Sequence, residues 1–100
     1  MAISDVQVDG NKIRVYDENG REKSSMWTND KEVCGVASDF FVVIDGSKIR
    51  TYDEDCKEIA SMWTNDKEIR GAAGKTFTAK DGSKIRTYDM NCKEISSRWA

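Results

Sequence analysis

Histidine and proline are absent from this chain, and cysteine occurs only three times. Each scarcity excludes something. Three cysteines without a histidine cannot supply the four ligands of a structural zinc site within one chain, and Cys34, Cys56 and Cys92 show no CxxC spacing. An odd number cannot all pair internally, so they read as free thiols in a reducing compartment, and a cytoplasmic protein is expected. Nothing beside them in sequence depresses a thiol pKa, which argues against a redox sensor. The lack of proline leaves any β-ladder uninterrupted.

Charge of one sign is also missing. Sixteen Lys and Arg stand against 18 Asp and Glu, giving a net charge of −2. That leaves no basic excess for nucleic acid or an anionic lipid surface, and neither is expected as a partner. The opening MAISDVQVDG has neither the charged nor the apolar segment of a secretory signal. What remains is the composition of one soluble globular domain of 100 residues, 38% hydrophobic and 34% charged. It is too polar to span a membrane and too rich in Ile, Val, Trp and Tyr to be disordered.

The most informative feature is repetition. DGNKIRVYD at Asp9–Asp17 returns as DGSKIRTYD at Asp45–Asp53 and again at Asp81–Asp89. Asp-Gly falls at 9, 45 and 81, Tyr-Asp begins at 16, 52 and 88, and Trp falls at 27, 63 and 99, each step being 36 residues. Asp45–Trp63 and Asp81–Trp99 agree at 15 of 19 positions. A fixed period in this range marks a repeat architecture. The whole chain, 1–100, reads as a single repeat domain, with repeats at about 4–39, 40–75 and 76–100, the third lacking its fourth strand.

Within a repeat the pattern is β throughout. Phe40–Asp45 (FFVVID) is a short apolar run that ends at Gly46-Ser47, a two-residue hairpin signal. Lys48–Asp53 alternates, with Ile49, Thr51 and Asp53 on one side and Lys48, Arg50 and Tyr52 on the other. A second turn is expected at Asp55-Cys56, where the first repeat has Asn19-Gly20, a type I′ pair with positive φ at both positions. Lys57–Trp63 reads as a third strand, with Ile59, Ser61 and Trp63 on one face and Ala60 and Met62 on the other. Thr64-Asn65-Asp66 reads as a third turn, and Lys67–Ala73 as a fourth strand of the same unit.

Four-stranded antiparallel units build either β-propellers or β-trefoils. Bulk on both faces, with Ile13, Val15 and Trp27 on one and Tyr16 and Met26 on the other, favours propeller blades held between two neighbours over a trefoil monomer. Three blades do not close a ring, so a homodimer related by a twofold axis, with six blades, is the expected assembly.

The run SKIRTYDEDCKEIASMWTNDKEIRGAA, with IRVY at Ile13–Tyr16, resembles a blade of the small fucose-binding six-bladed propeller lectins of bacteria and fungi. It also resembles blades of WD-repeat and quinoprotein-like propellers. The lectin resemblance implies a sugar site between blades whose arginine is Arg14, Arg50 or Arg86. The acidic partner it implies would fall at Ser25, Ser61 and Ser97, where serine stands instead. The aromatic platform would fall near Glu32/Val33 and Glu68/Ile69, where no aromatic stands.

Candidate ligand-binding residues are therefore Arg14, Arg50, Arg86, Tyr16, Tyr52, Tyr88, Trp27, Trp63 and Trp99. The simpler expectation for the arginine–tyrosine pairs is a guanidinium stacked on an aromatic ring between blades, and for the tryptophans a place in the blade core. Asp9, Asp45 and Asp81 are expected to serve their turns rather than calcium. The clusters Asp17-Glu18 and Asp53-Glu54-Asp55 lie at exposed hairpin ends and become Asp89-Met90-Asn91 in the third copy, so no catalytic dyad is expected. The expectation is a non-enzymatic binding or scaffold protein without metal or cofactor, its ligand a protein or a carbohydrate.

Overall fold

The computed structural model describes residues 3–29, 31–65 and 67–99, whose regular secondary structure is all β-strand. The strands are β1 (Ile3–Asp9), β2 (Lys12–Asp17), β3 (Glu22–Trp27), β4 (Lys31–Val36), β5 (Phe41–Asp45), β6 (Lys48–Tyr52), β7 (Glu58–Trp63), β8 (Glu68–Ala73), β9 (Thr76–Asp81), β10 (Lys84–Asp89) and β11 (Glu94–Trp99). They form three antiparallel sheets in the orders β1-β2-β3, β4-β5-β6-β7 and β8-β9-β10-β11. Among the described residues no helix is long and apolar enough to cross a membrane.

Glycine sets the Asp-Gly hairpin of every sheet. Gly10, Gly46 and Gly82 hold φ of 62°, 64° and 64°, and the residue after each has negative φ. That is the type II′ arrangement, whose twist matches the flanking strands. The hairpin that follows it in each repeat differs from the type I′ turn that Asn19-Gly20 suggests. Only its later residue has positive φ: Gly20 at 75°, Cys56 at 61° and Cys92 at 62°. Gly20 N–H donates to the Asp17 carbonyl at 3.0 Å, and the Asp17 carboxylate accepts from Asn19 N–H and Arg21 N–H at 2.9 and 3.0 Å. The aspartate stabilises a tighter first turn, so one left-handed residue suffices. Asp53 and Asp89 repeat the arrangement, which gives these carboxylates a turn role.

The strand after each Trp does not join the sheet of its own repeat. β4 pairs with β5, and β8 pairs with β9, so each heads the next sheet. The Thr28-Asn29 and Thr64-Asn65 segments are links between sheets rather than hairpins; Asp66, the last residue of the expected turn, lies outside the described residues. Thr28 N–H and Thr64 N–H donate to the carbonyls of Asn11 and Ser47 in the Asp-Gly hairpin, at 2.7 and 2.8 Å. Asn29 and Asn65 then turn the chain with φ of 46° each. The third sheet accordingly has four strands, and the first has three.

Each sheet has two faces. The trailing face of the first sheet (Val6, Ile13, Val15, Met26) packs on the leading face of the second (Val33, Phe41, Val43, Tyr52, Cys56). The second sheet repeats this with Val42, Ile44, Ile49 and Met62 against Phe77, Ala79, Tyr88, Met90 and Cys92 of the third. Met26 lies opposite Ile13 in the ladder and Trp27 opposite Lys12, which reverses the faces expected for these two residues. Ile59 also changes face. The register jumps between Thr51/Ala60 and Tyr52/Glu58, and the extra residue turns Ile59 toward the core shared with the third sheet.

The second and third sheets come closest along their first strands. A Cβ on Gly35 would lie 3.2 Å from Ala72 Cβ and 3.4 Å from Ala72 N, whereas one on Gly71 would meet nothing within 4 Å. Replacing Gly35 by Val should therefore cost about 1–3 kcal/mol through overpacking. The denaturation midpoint of Gly35→Val should fall clearly below that of the matched Gly71→Val control, and equal midpoints would refute the close approach.

Candidate functional site

Cross-strand partners in an antiparallel pair project to the same side. On each leading face this brings Lys12 beside Trp27, Arg14 beside Ser25 and Tyr16 beside Glu22. The second and third sheets place Lys48/Trp63, Arg50/Ser61, Tyr52/Glu58 and Lys84/Trp99, Arg86/Ser97, Tyr88/Glu94 in the same way. The result is one constellation written three times.

Its outer part is a lysine over an indole. The ammonium nitrogens of Lys12, Lys48 and Lys84 lie 5.0, 4.9 and 4.8 Å from the ring centroids of Trp27, Trp63 and Trp99. These tryptophans are not core residues: Trp27 and Trp63 are 59% exposed and Trp99 72%. They stand at the ends of β3, β7 and β11, each an edge strand of its sheet. The lysine stem and charge occupy the ring instead.

Its inner part is a guanidinium held between two carboxylates. Arg14, Arg50 and Arg86 reach Glu22, Glu58 and Glu94 through Nη1 at 2.6, 2.6 and 2.7 Å. Their Nε atoms lie 3.3, 3.1 and 3.0 Å from Asp9, Asp45 and Asp81. The arginine is thus not stacked on tyrosine, and the aspartate of the Asp-Gly pair serves this ion pair as well as its turn position. Hydrogen bonding to Glu22, Glu58 and Glu94 is the largest influence on the three arginines and raises each above its ordinary value. The three bonds to glutamate are exposed, those of Arg50 and Arg86 to aspartate are partly buried, and Arg14 Nε meets Asp9 as an ion pair without a hydrogen bond; solvent screening leaves them to fix orientation more than to stabilise the fold.

The tyrosines separate from the rest. Tyr52 and Tyr88 are buried and stack on Phe41 and Phe77, with centroids 5.6 and 5.4 Å apart and ring planes 21° and 20° from parallel. Burial raises both phenol pKa values. Tyr16 is half-buried, on a leading face that no other sheet of this chain covers, with Asp5 opposite it in place of those phenylalanines. Arginine and tryptophan therefore share an accessible surface in every sheet, while Tyr52 and Tyr88 belong to the core.

Sequence reasoning missed the lysines and the glutamates. The signal was present: Lys12, Lys48 and Lys84, like Glu22, Glu58 and Glu94, recur at 36 residues. A cleft of about 470 Å³ opens beside Trp27, lined by Gly10, Asn11, Thr28 and Asn29. Thr28 Oγ1 and its counterpart Thr64 Oγ1 are shielded and have no hydrogen-bond partner among the described residues. An exposed indole beside a fixed ion pair is a surface for stacking and hydrogen bonding. Among the described residues no cluster of three metal-ligating side chains occurs.

The thiols are free and partly buried. Burial raises the pKa of Cys34 and Cys56, and it pushes Cys92 up to about 11. No family model matches this sequence, and no curated protein matches it significantly.

The Cys92 value carries a prediction. Its folded pKa of about 11 stands above the ordinary 9.0, so its contribution to stability is complete below about pH 9 and is lost as pH rises through about 11. Tyr52 and Tyr88, also raised, act in the same sense from the ordinary value of 10.0 upward. Cys92→Ala should flatten the first part of this alkaline decline in chemical denaturation. At pH 8 the native Cys92 thiol should react with an alkylating reagent at least roughly tenfold more slowly than in the unfolded chain; equal rates would show that the thiol is not shielded.

Proposed function

We propose that this chain is a non-enzymatic binding or scaffold protein, three blades of a β-propeller that a second copy completes to six. The observation that carries the architecture is that both internal interfaces follow one scheme. Positions 36 residues apart offer the same trailing face to the same leading face, with β4 and β8 at the point of closest approach. A radial array needs that repeated, one-directional packing. A trefoil would instead close its strands into a common barrel, and the three sheets here share no ladder.

The binding surface in this reading is the Lys–Trp pair with its Asp–Arg–Glu neighbour, displayed once per blade on rigid strands. Repetition of a weak site multiplies avidity where a partner repeats the matching group. A second reading, a carbohydrate-binding lectin with sites between blades, draws on the same residues. The exposed Trp27, Trp63 and Trp99 supply the apolar platform that is missing at the positions implied by the lectin resemblance. Carboxylates from Asp9/Asp45/Asp81 and Glu22/Glu58/Glu94 stand where the serines do not supply them.

A glycan array separates the two. The scaffold reading expects no glycan bound above background, and the same result for Trp63→Ala. Selective binding of a glycan that is lost in both Trp63→Ala and Arg50→Ala, with the fold retained by circular dichroism, would make the lectin reading the correct one.

A further inference from the structure

The two outermost faces of the stack depart from the internal pattern, and they depart with opposite charge. On the leading face, Phe41 and Phe77 correspond to Asp5 in the first sheet, and Val43 and Ala79 correspond to Gln7. On the trailing face, Met26 and Met62 correspond to Arg98 in the third sheet, while Val8 and Ile44 correspond to Lys80. Met26 and Met62 pack against the clusters that hold Phe41/Val43 and Phe77/Ala79. The cationic substitution therefore falls on the trailing side, and the acidic one on the leading side, of positions that share one cluster at each internal interface.

A face shaped only for water would not need the remaining features of the third sheet. Each internal interface uses one hydroxyl on the trailing face to hold the next repeat's second turn. Ser24 donates to the Glu54 carbonyl at 2.6 Å, and Thr51 donates to the Met90 carbonyl at 2.7 Å. The corresponding positions are Val15/Thr51/Thr87 and Ser24/Ala60/Ser96, so the third sheet carries both hydroxyls. Ile95, 57% exposed, corresponds to Ile59, which packs against the core shared with the third sheet. Charge already crosses one internal interface, where Lys23 Nζ lies 3.5 Å from Asp55 and 3.9 Å from Glu54. On the opposite side, Tyr16 retains the leading-face tyrosine and Gly20 leaves open the space that Cys56 and Cys92 fill.

We propose that the trailing face of the third sheet takes the leading face of the first sheet of a second copy, with Arg98 set against Asp5 and Gln7 and with Thr87 or Ser96 donating to the carbonyl of Glu18. The pairing rests on the homodimeric reading above and deepens it. A twofold axis makes the contact twice, so each copy gives one cationic and one acidic face, and the ring closes at two chains rather than growing as a fibre. The charges also set polarity, because they oppose two trailing faces or two leading faces meeting.

Sedimentation equilibrium at micromolar concentration in reducing buffer tests the proposal on the intact chain. The wild type should have twice the 11.3 kDa mass of one chain. Arg98→Asp and Asp5→Arg, each at an exposed position, should each weaken the dimer by at least roughly tenfold, the scale of a mispaired interfacial charge. The double variant Asp5→Arg/Arg98→Asp should regain most of the lost affinity. A dimer indifferent to all three variants would overturn the charge-paired contact and leave the six-blade reading standing. A folded wild-type monomer would overturn both.

Discussion

Covering a two-faced sheet is the constraint on which this structure depends. A three- or four-stranded sheet with apolar residues on both sides has no stable existence in water, and its two faces must be buried by different neighbours. In this chain the trailing face of one sheet is buried by the leading face of the next. Ile13, Val15, Phe41 and Val43 become inaccessible in one interface, and Val42, Ile49, Phe77 and Ala79 become nearly so in the other. The hairpins add Cys56, Met90 and Cys92 to these interfaces. They set register, so that the apolar set of each strand arrives on the correct side.

The link between sheets follows from the same need. A hairpin after Trp27 or Trp63 would keep the fourth strand at the outer edge of its own sheet. Pinning Thr28 and Thr64 to the Asp-Gly turn sends the chain across to begin the next sheet. β4 and β8 are then first strands, and their small residues Gly35 and Ala72 admit the close approach between sheets. The exposed tryptophans are a second consequence. They end the edge strands β3, β7 and β11, outside the buried zone, where lysine and arginine can dress the same surface.

Much of this was legible in the sequence, and the failures have specific causes. The strands and Asp-Gly hairpins were readable because alternation and that dipeptide are local signals. Ile59 was assigned to the wrong face because a bulge inserts one residue and inverts the alternation beyond it. Trp27, Trp63 and Trp99 were assigned to the core on hydrophobicity alone, which does not report how far a neighbouring sheet extends. The Asp–Arg–Glu groups were missed because their members stand on three strands, and only the ladder register brings them together.

The sequence by itself determined a threefold, all-β chain with a period of 36 and the positions of its Asp-Gly turns. These follow from backbone preferences and side-chain periodicity, which act over a few residues. Only the tertiary structure decided which sheet each fourth strand enters, which face each indole occupies, and that the two outermost faces carry opposite charge. Those depend on packing between segments tens of residues apart, where register and burial are set jointly by both partners.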